Sequence, residues 1–348
     1  MEPRDGGVHS VIIICTDDAD PWTNWRERDG MPPKRVTPSE SVEGQEGAWY
    51  NVAPEQTWRS SLAGISNGSQ LIIEDLGNRR LSLAPPDHII LDSIGTWPTS
   101  IQDLLTSEEE GLRSYLQEEQ RLDHLAECDV ILRIRRPANP HRFVWDRTVE
   151  RVRQLACAHA VVGFHCARLV QTEVDDIRAN GLRPPSPCFA LQRVDRLVQQ
   201  GSISQAGAQA IRERNEASAD NREGRICFFH CLSTLRDESG LYRLFRWWGG
   251  EALYCHHEAD SPARDDLRRS GMPCIVLAAF QSSDICTFGS FEEHMTNVWL
   301  DRDGPDARPH DCETHVQGRG VRVLDVIVRA DPRFEELTDC LNWRQSID

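Results

Sequence analysis

Val161 to Pro184 reads VVGFHCARLVQTEVDDIRANGLRP. Its apolar opening, Val161 to Phe164, has the composition of a buried strand, and His165 stands at the strand's end. A turn is expected next, then a helix. Thr172 lies three residues before Asp175, a capping-box-like start in which the hydroxyl satisfies a free backbone N–H. Val174 and Ile177 supply one apolar face. Gly181 stands where a left-handed C-cap belongs, and Pro184 prevents the helix from resuming. On the residues alone, this is a strand-to-helix turn with a polar residue at its mouth.

The surrounding composition sets bounds. A chain of 348 residues with 10 Trp and 10 Phe can bury one large core or two ordinary ones. The net charge of −16 argues against a protein whose main task is tracking a phosphate backbone. Lys34 is the only lysine. A GC-rich coding bias explains that, and so does selection against lysine modification in a toxin or effector acting inside a host cell. The 12 cysteines show no regular spacing. MEPRDGG opens the chain without an apolar secretory segment, and no run reaches the length of a membrane span. The expected setting is a reducing cytoplasm with free thiols, or a host cytosol for a delivered effector.

Taken in order, HSVIIICT (9–16) reads as a buried strand. A polar loop follows over 17–47, pinned by Trp22 and Trp25. Strands are expected at Gln70 to Ile73, Arg80 to Leu83 and His88 to Leu91, the first two joined by a GNRR hairpin turn. Residues 102–126 read as a helix with an acidic outer face. Asp129 to Ile134 reads as a strand, and Asp146 or Thr148 caps a helix to Ala158. Beyond the central stretch, Leu191 to Val198 is helical in pattern, and Ser204 caps a second helix through Ile211. Arg225 to Cys231 reads as a strand, as do Ala252 to Tyr254, Cys274 to Phe280 and Val321 to Val328.

The strand–His–helix unit resembles the first motif of the ADP-ribosyltransferase fold. In that family a strand ends in His and a small residue, and the next helix ends in an NGL-type stop, here Asn180, Gly181 and Leu182. Cys166 and Ala167 stand where the family more often has Gly-Thr or Gly-Ser. The resemblance spans roughly residues 160 to 330. It implies NAD as substrate, with His165 on a ribose hydroxyl and the Cys166 backbone on the nicotinamide amide. It also implies an aromatic strand lining the nicotinamide pocket, matched by Ile226 to Phe229 with Phe228. The family's Ser-x-x-Tyr is matched by Ser239 and Tyr242, which would bind the amide and enclose the ring. Its last signature is a glutamate on a strand that stabilises the ribosyl oxocarbenium cation. Glu251 in GGEALY is the first candidate, with Glu258, Glu292 and Glu293 as rivals. Arg168 is placed to hold a pyrophosphate oxygen, with Arg243 and Arg246 as further candidates.

The same residues support other readings. Cys157, His159, His165, Cys166, Cys227, His230, Cys231, Cys255, His256 and His257 include the ligand types zinc prefers. Neither CxxC nor HExxH occurs, and buried free cysteines explain the same pattern. A Cys-His hydrolase on Cys166 or Cys227 lacks a nucleophile elbow. There is no P-loop, and Gly249-Gly250 is not a dinucleotide fingerprint. The resulting expectation is an α+β chain with a split mixed β-sheet. Residues 146–348 would form an ADP-ribosyltransferase-like domain, preceded by an accessory α/β module over 1–145. It would transfer ADP-ribose from NAD to a macromolecular acceptor, a protein rather than a nucleic acid, in a toxin, effector or defence role. The alternatives are an NAD glycohydrolase, a zinc-binding protein, and a non-catalytic nucleotide- or partner-binding protein.

Overall fold

A computed structural model describes residues 88–219, 222–259, 261–286, 290–302, 312–317 and 320–347. All lie in Leu71–Asp348, one of the chain's two compact units. The strands expected at 9–16, 70–73 and 80–83, and the loop over 17–47, fall outside the described residues.

The architecture is α+β: a mixed, mostly antiparallel sheet flanked by helices. Its strands are β1 (His88–Ile89), β2 (Ala160–Leu169), β3 (Arg225–Phe229), β4 (Met272–Gln281), β5 (Glu313–Gln317) and β6 (Arg322–Val328). The order is β5-β3-β2-β4-β6, and β1 runs parallel to the start of β2. β4 occupies one whole edge of β2, from Ala160↔Gln281 to Leu169↔Met272. β1 and β3 therefore share the other edge.

The helices are α1 (Thr99–Cys128), α2 (Val130–Ile134), α3 (Arg142–Ala156), α4 (Gln171–Asn180), α5 (Pro187–Gln199) and α6 (Gln205–Glu213). They continue with α7 (Glu238–Arg246), α8 (Glu251–Tyr254), α9 (Arg264–Arg269), α10 (Phe291–Asp301) and α11 (Pro332–Thr338). Because side chains alternate across a strand, β2 faces two cores. Val161 packs with Leu105, Trp145, Phe228, Phe280 and Met295, which joins α1, α3 and α10 to the sheet. Phe164 and Cys166 pack with Leu241, Phe245 and Phe334 from α7 and α11. Trp248 and Tyr254 centre a third cluster under α5 and α6. None of the helices among the described residues is long and apolar enough to cross a membrane.

Several expectations are corrected. Residues 130–134 form a helix, not a strand: Asp129 accepts the N–H groups of Ile131 (2.7 Å) and Leu132 (3.4 Å) as an N-cap. Ile131 and Ile134 are exposed, so the apolar run that suggested a strand is not a buried one. β2 does not end at His165 but continues to Leu169, held throughout by β4. α4 begins after Val170, whose N–H is taken by the Glu173 carboxylate at 3.0 Å, so Thr172 is not the cap. Gly181 has φ 81° but ψ 179°, an extended turn-out rather than a compact left-handed cap. Ala252 to Tyr254 is helical, since Gly250 at φ 71° turns the chain into α8. Ser204 caps α6 as expected, accepting from the Gly207 N–H at 3.0 Å.

Gly163 determines how closely β3 side chains approach β2. A Cβ there would lie 2.9 Å from both Cβ and Cδ1 of Phe228. Phe228 has no room to retreat, being fully buried against Phe280. Gly163→Ala is expected to lower stability by about 1–3 kcal/mol through overpacking, read as a lower denaturation midpoint with an unchanged m-value.

Candidate functional site

β2 and β3 are joined at a single rung, Phe164↔Phe229. In an antiparallel ladder the next rung of that kind is two residues on, which would be Cys166↔Cys227. It is not formed. Instead the His165 ring stands in its place, with Nδ1 2.9 Å from the Cys227 carbonyl oxygen. A carbonyl only accepts, so Nδ1 carries the proton and donates. Desolvation lowers the His165 pKa, so the ring is neutral at neutral pH. Nε2 is then a lone-pair acceptor, and it makes no hydrogen bond among the described residues. The edge of β2 closes again at Arg168, which bridges to Trp248. Between the two closures the sheet is split for one rung, with the Cys166 N–H and C=O directed at the gap.

A second histidine shows what a purely structural one looks like here. His230 donates Nδ1–H to the Val162 carbonyl (2.9 Å), and its Nε2 accepts from the Thr314 hydroxyl (2.6 Å). It is fully buried, and desolvation lowers its pKa to about 4. Both nitrogens are occupied, whereas His165 keeps one open.

On the far side of the split, β5 pairs with β3 and places His315 directly opposite Cys227. The Cys227 thiol donates to Glu313 Oε1 at 2.6 Å, and His315 Nε2 lies 4.0 Å from the same oxygen. Burial, and then the Glu313 charge, raise the Cys227 pKa well above its usual value. The thiol is therefore a proton donor, not a thiolate nucleophile. Cys227 thus holds His165 through its carbonyl and Glu313 through its sulfur, across three neighbouring strands. Reading the sequence did not single out Glu313 or His315. The available signal was the five-residue ETHVQ, too short and polar to stand out as a strand.

Glu251 opens α8 and is paired with Arg222 at 2.9 Å. It still adds to the raising of the Cys227 thiol, so it faces the same polar region. Glu258 is held bidentately by Arg243. Glu292 and Glu293 lie in the first turn of α10, not on a strand; Glu292 is buried, 3.7 Å from Arg153.

Phe228 is wholly core, 4.8 Å from the Phe280 ring, and meets His165 edge-on at 6.0 Å. Tyr242 is buried in the opposite core with Arg246 over its ring at 5.0 Å. Ser239 donates to Asp237 (3.0 Å) at the start of α7. Arg168 is buried and donates to the carbonyls of Ser270, Phe245 and Ile347. The fold therefore joins His165, the Cys166 backbone and the Cys227 carbonyl at one gap in the sheet, with Glu313 reached through the Cys227 side chain. It places Tyr242 and Arg168 inside the packed interior and Ser239 at a helix start.

Cys166, Cys231 and Cys274 are buried, and His257 donates Nε2–H to the Arg214 carbonyl while accepting from Ser261. Among the described residues, two groups have metal-ligand spacing: Cys227, Glu313 and His315, and Glu216, Cys255 and His256. No family model, curated protein or solved structure matches the chain.

The His230 clamp predicts acid sensitivity. Its folded pKa of about 4 lies below the usual 6.5, so the unfolded chain binds more protons between those values. The stability it supports is full above pH 6.5 and is lost as pH falls towards 4, by up to about 3 kcal/mol. Lowered pKa values at His165, His257 and His315 act in the same direction. Melting temperatures across that window should fall with pH, and His230→Gln should flatten the fall while lowering the plateau.

Proposed function

We propose that this chain is an NAD-dependent ADP-ribosyltransferase working at the split between β2 and β3. The open rung at Cys166 carries this reading. A strand edge that offers one N–H and one C=O is complementary to a primary carboxamide, which supplies an acceptor oxygen and N–H donors. Nicotinamide bears such a group. His165 Nε2, fixed as an acceptor by the bond at Nδ1, takes a ribose hydroxyl proton in a hydrogen bond. The proposed carboxylate is Glu313, on the strand next to β3 and oriented by the Cys227 thiol. There it stabilises the ribosyl cation that develops as nicotinamide leaves. Glu251 is the weaker candidate, because Arg222 already neutralises it. Phe228 supports the His165 ring from the core and does not enclose the substrate. The net charge of −16 suits a protein acceptor better than a nucleic acid.

The test is nicotinamide release from NAD by the full chain, with and without cell lysate. Release that needs lysate, with label appearing on a macromolecule, is the expected result; release without lysate means a glycohydrolase. Glu313→Gln should lower the rate on the order of a hundredfold or more while NAD binding persists, and Glu251→Gln should leave most of it. The reverse ranking moves the carboxylate to Glu251. The acid analogue of NAD, with a carboxylate in place of the carboxamide, should be rejected by roughly a hundredfold or more, since it leaves the Cys166 carbonyl without a donor. Equal turnover of both dinucleotides would remove the open rung from the mechanism.

A further inference from the structure

Cys227, Glu313 and His315 present a thiol, a carboxylate and an imidazole from two paired strands. Cys227 and His315 are direct cross-strand partners, and Glu313 lies two residues from His315 on the same face. Their ligand atoms all lie within 4.8 Å of one another. We infer that this trio is a binding site for a thiophilic divalent cation of the zinc type.

The geometry is close to what such an ion requires. Tetrahedral zinc, with bonds of about 2.3 Å to sulfur and about 2.0–2.1 Å to nitrogen and oxygen, separates its ligand atoms by about 3.4–3.6 Å. Here Sγ and Oε1 are 2.6 Å apart, and Oε1 and Nε2 are 4.0 Å apart. The two separations bracket the required one, and ligand-atom shifts of about 1 Å or less convert one set into the other. The thiol proton passes to solvent as the sulfur–metal bond forms, with no change of oxidation state. Glu313 and His315 keep 41% and 34% of their side-chain surface exposed, which leaves a fourth position for water.

The rival group is less suitable. Glu216 already has the Arg222 guanidinium at 3.4 Å and His256 at 3.2 Å, so a cation there must displace a fixed charge. Arg225 and Arg222 also act on His315, and the charge of Arg222 is offset by its pairing with Glu251 and Glu216. If the transferase reading holds, an ion on Glu313 withdraws that carboxylate from the ribose, making the cation an inhibitor and not a cofactor.

The test reads the metal directly, so it is independent of whether NAD is the substrate. Cobalt(II) is titrated into the reduced, metal-free full chain while thiolate-to-cobalt charge-transfer absorption is followed. One equivalent giving that band is expected. Cys227→Ser should abolish it, and His315→Gln should weaken binding about tenfold to a hundredfold. Cys255→Ser should leave it unchanged. Circular dichroism confirms that each variant is folded, and Glu313→Gln, on an exposed side chain, provides an independent variant with the same expected weakening. Absence of the band, its survival in Cys227→Ser, or its loss in Cys255→Ser overturns the assignment.

Discussion

The hydrogen bond from His165 Nδ1 to the Cys227 carbonyl is the constraint on which the site depends. It substitutes a side chain for a ladder rung. A buried carbonyl left without a donor costs on the order of 1–3 kcal/mol, so the sheet cannot simply open between β2 and β3. The imidazole satisfies that carbonyl while holding the strands apart. Two consequences follow from one bond: the ring is fixed in a single tautomer, and the backbone of Cys166 is left facing a gap.

The strands around the split are rigid for separate reasons. β2 is held along its full length by β4, and β3 by β5. His230 joins Val162 to Thr314 just beyond the last shared rung, spanning all three strands with one buried ring. The Arg168–Trp248 bridge closes the other end. The gap is thus bounded on both sides. Two histidines that each donate Nδ1–H to a backbone carbonyl have opposite uses, decided by whether the second nitrogen finds a hydroxyl.

Much of this order was legible in the residues. Apolar runs with β-branched content marked β2, β4 and β6, and the 3.6-residue spacing marked α1 and α3. His165 could be singled out because a polar residue follows directly on an apolar, strand-like run. Other features depend on tertiary pairing and leave no local trace. VILRI has strand composition, but a capping aspartate and exposed isoleucines make it a helix. Glu251 follows two glycines, and the positive φ of Gly250 turns the chain into a helix where a strand was expected. Glu313 becomes chemically notable only because β5 brings its carboxylate to the thiol of Cys227, which is 86 residues earlier in the chain. Phe228 and Tyr242 had the right type and spacing to flank a ligand, but sequence periodicity does not distinguish a ring facing a cleft from one facing a core.

Arg168 makes one of the longest connections in the molecule. Its guanidinium gathers the carbonyls of Phe245, Ser270 and Ile347, the last of them 179 positions downstream. A buried guanidinium lacking such acceptors is strongly unfavourable, so Arg168 ties the core around α7 to a residue far along the chain. During synthesis, then, β2 is made well before the Ile347 carbonyl that Arg168 takes up. A contact of this span is of the kind that slows folding, because the intervening chain must be closed before the contact can form.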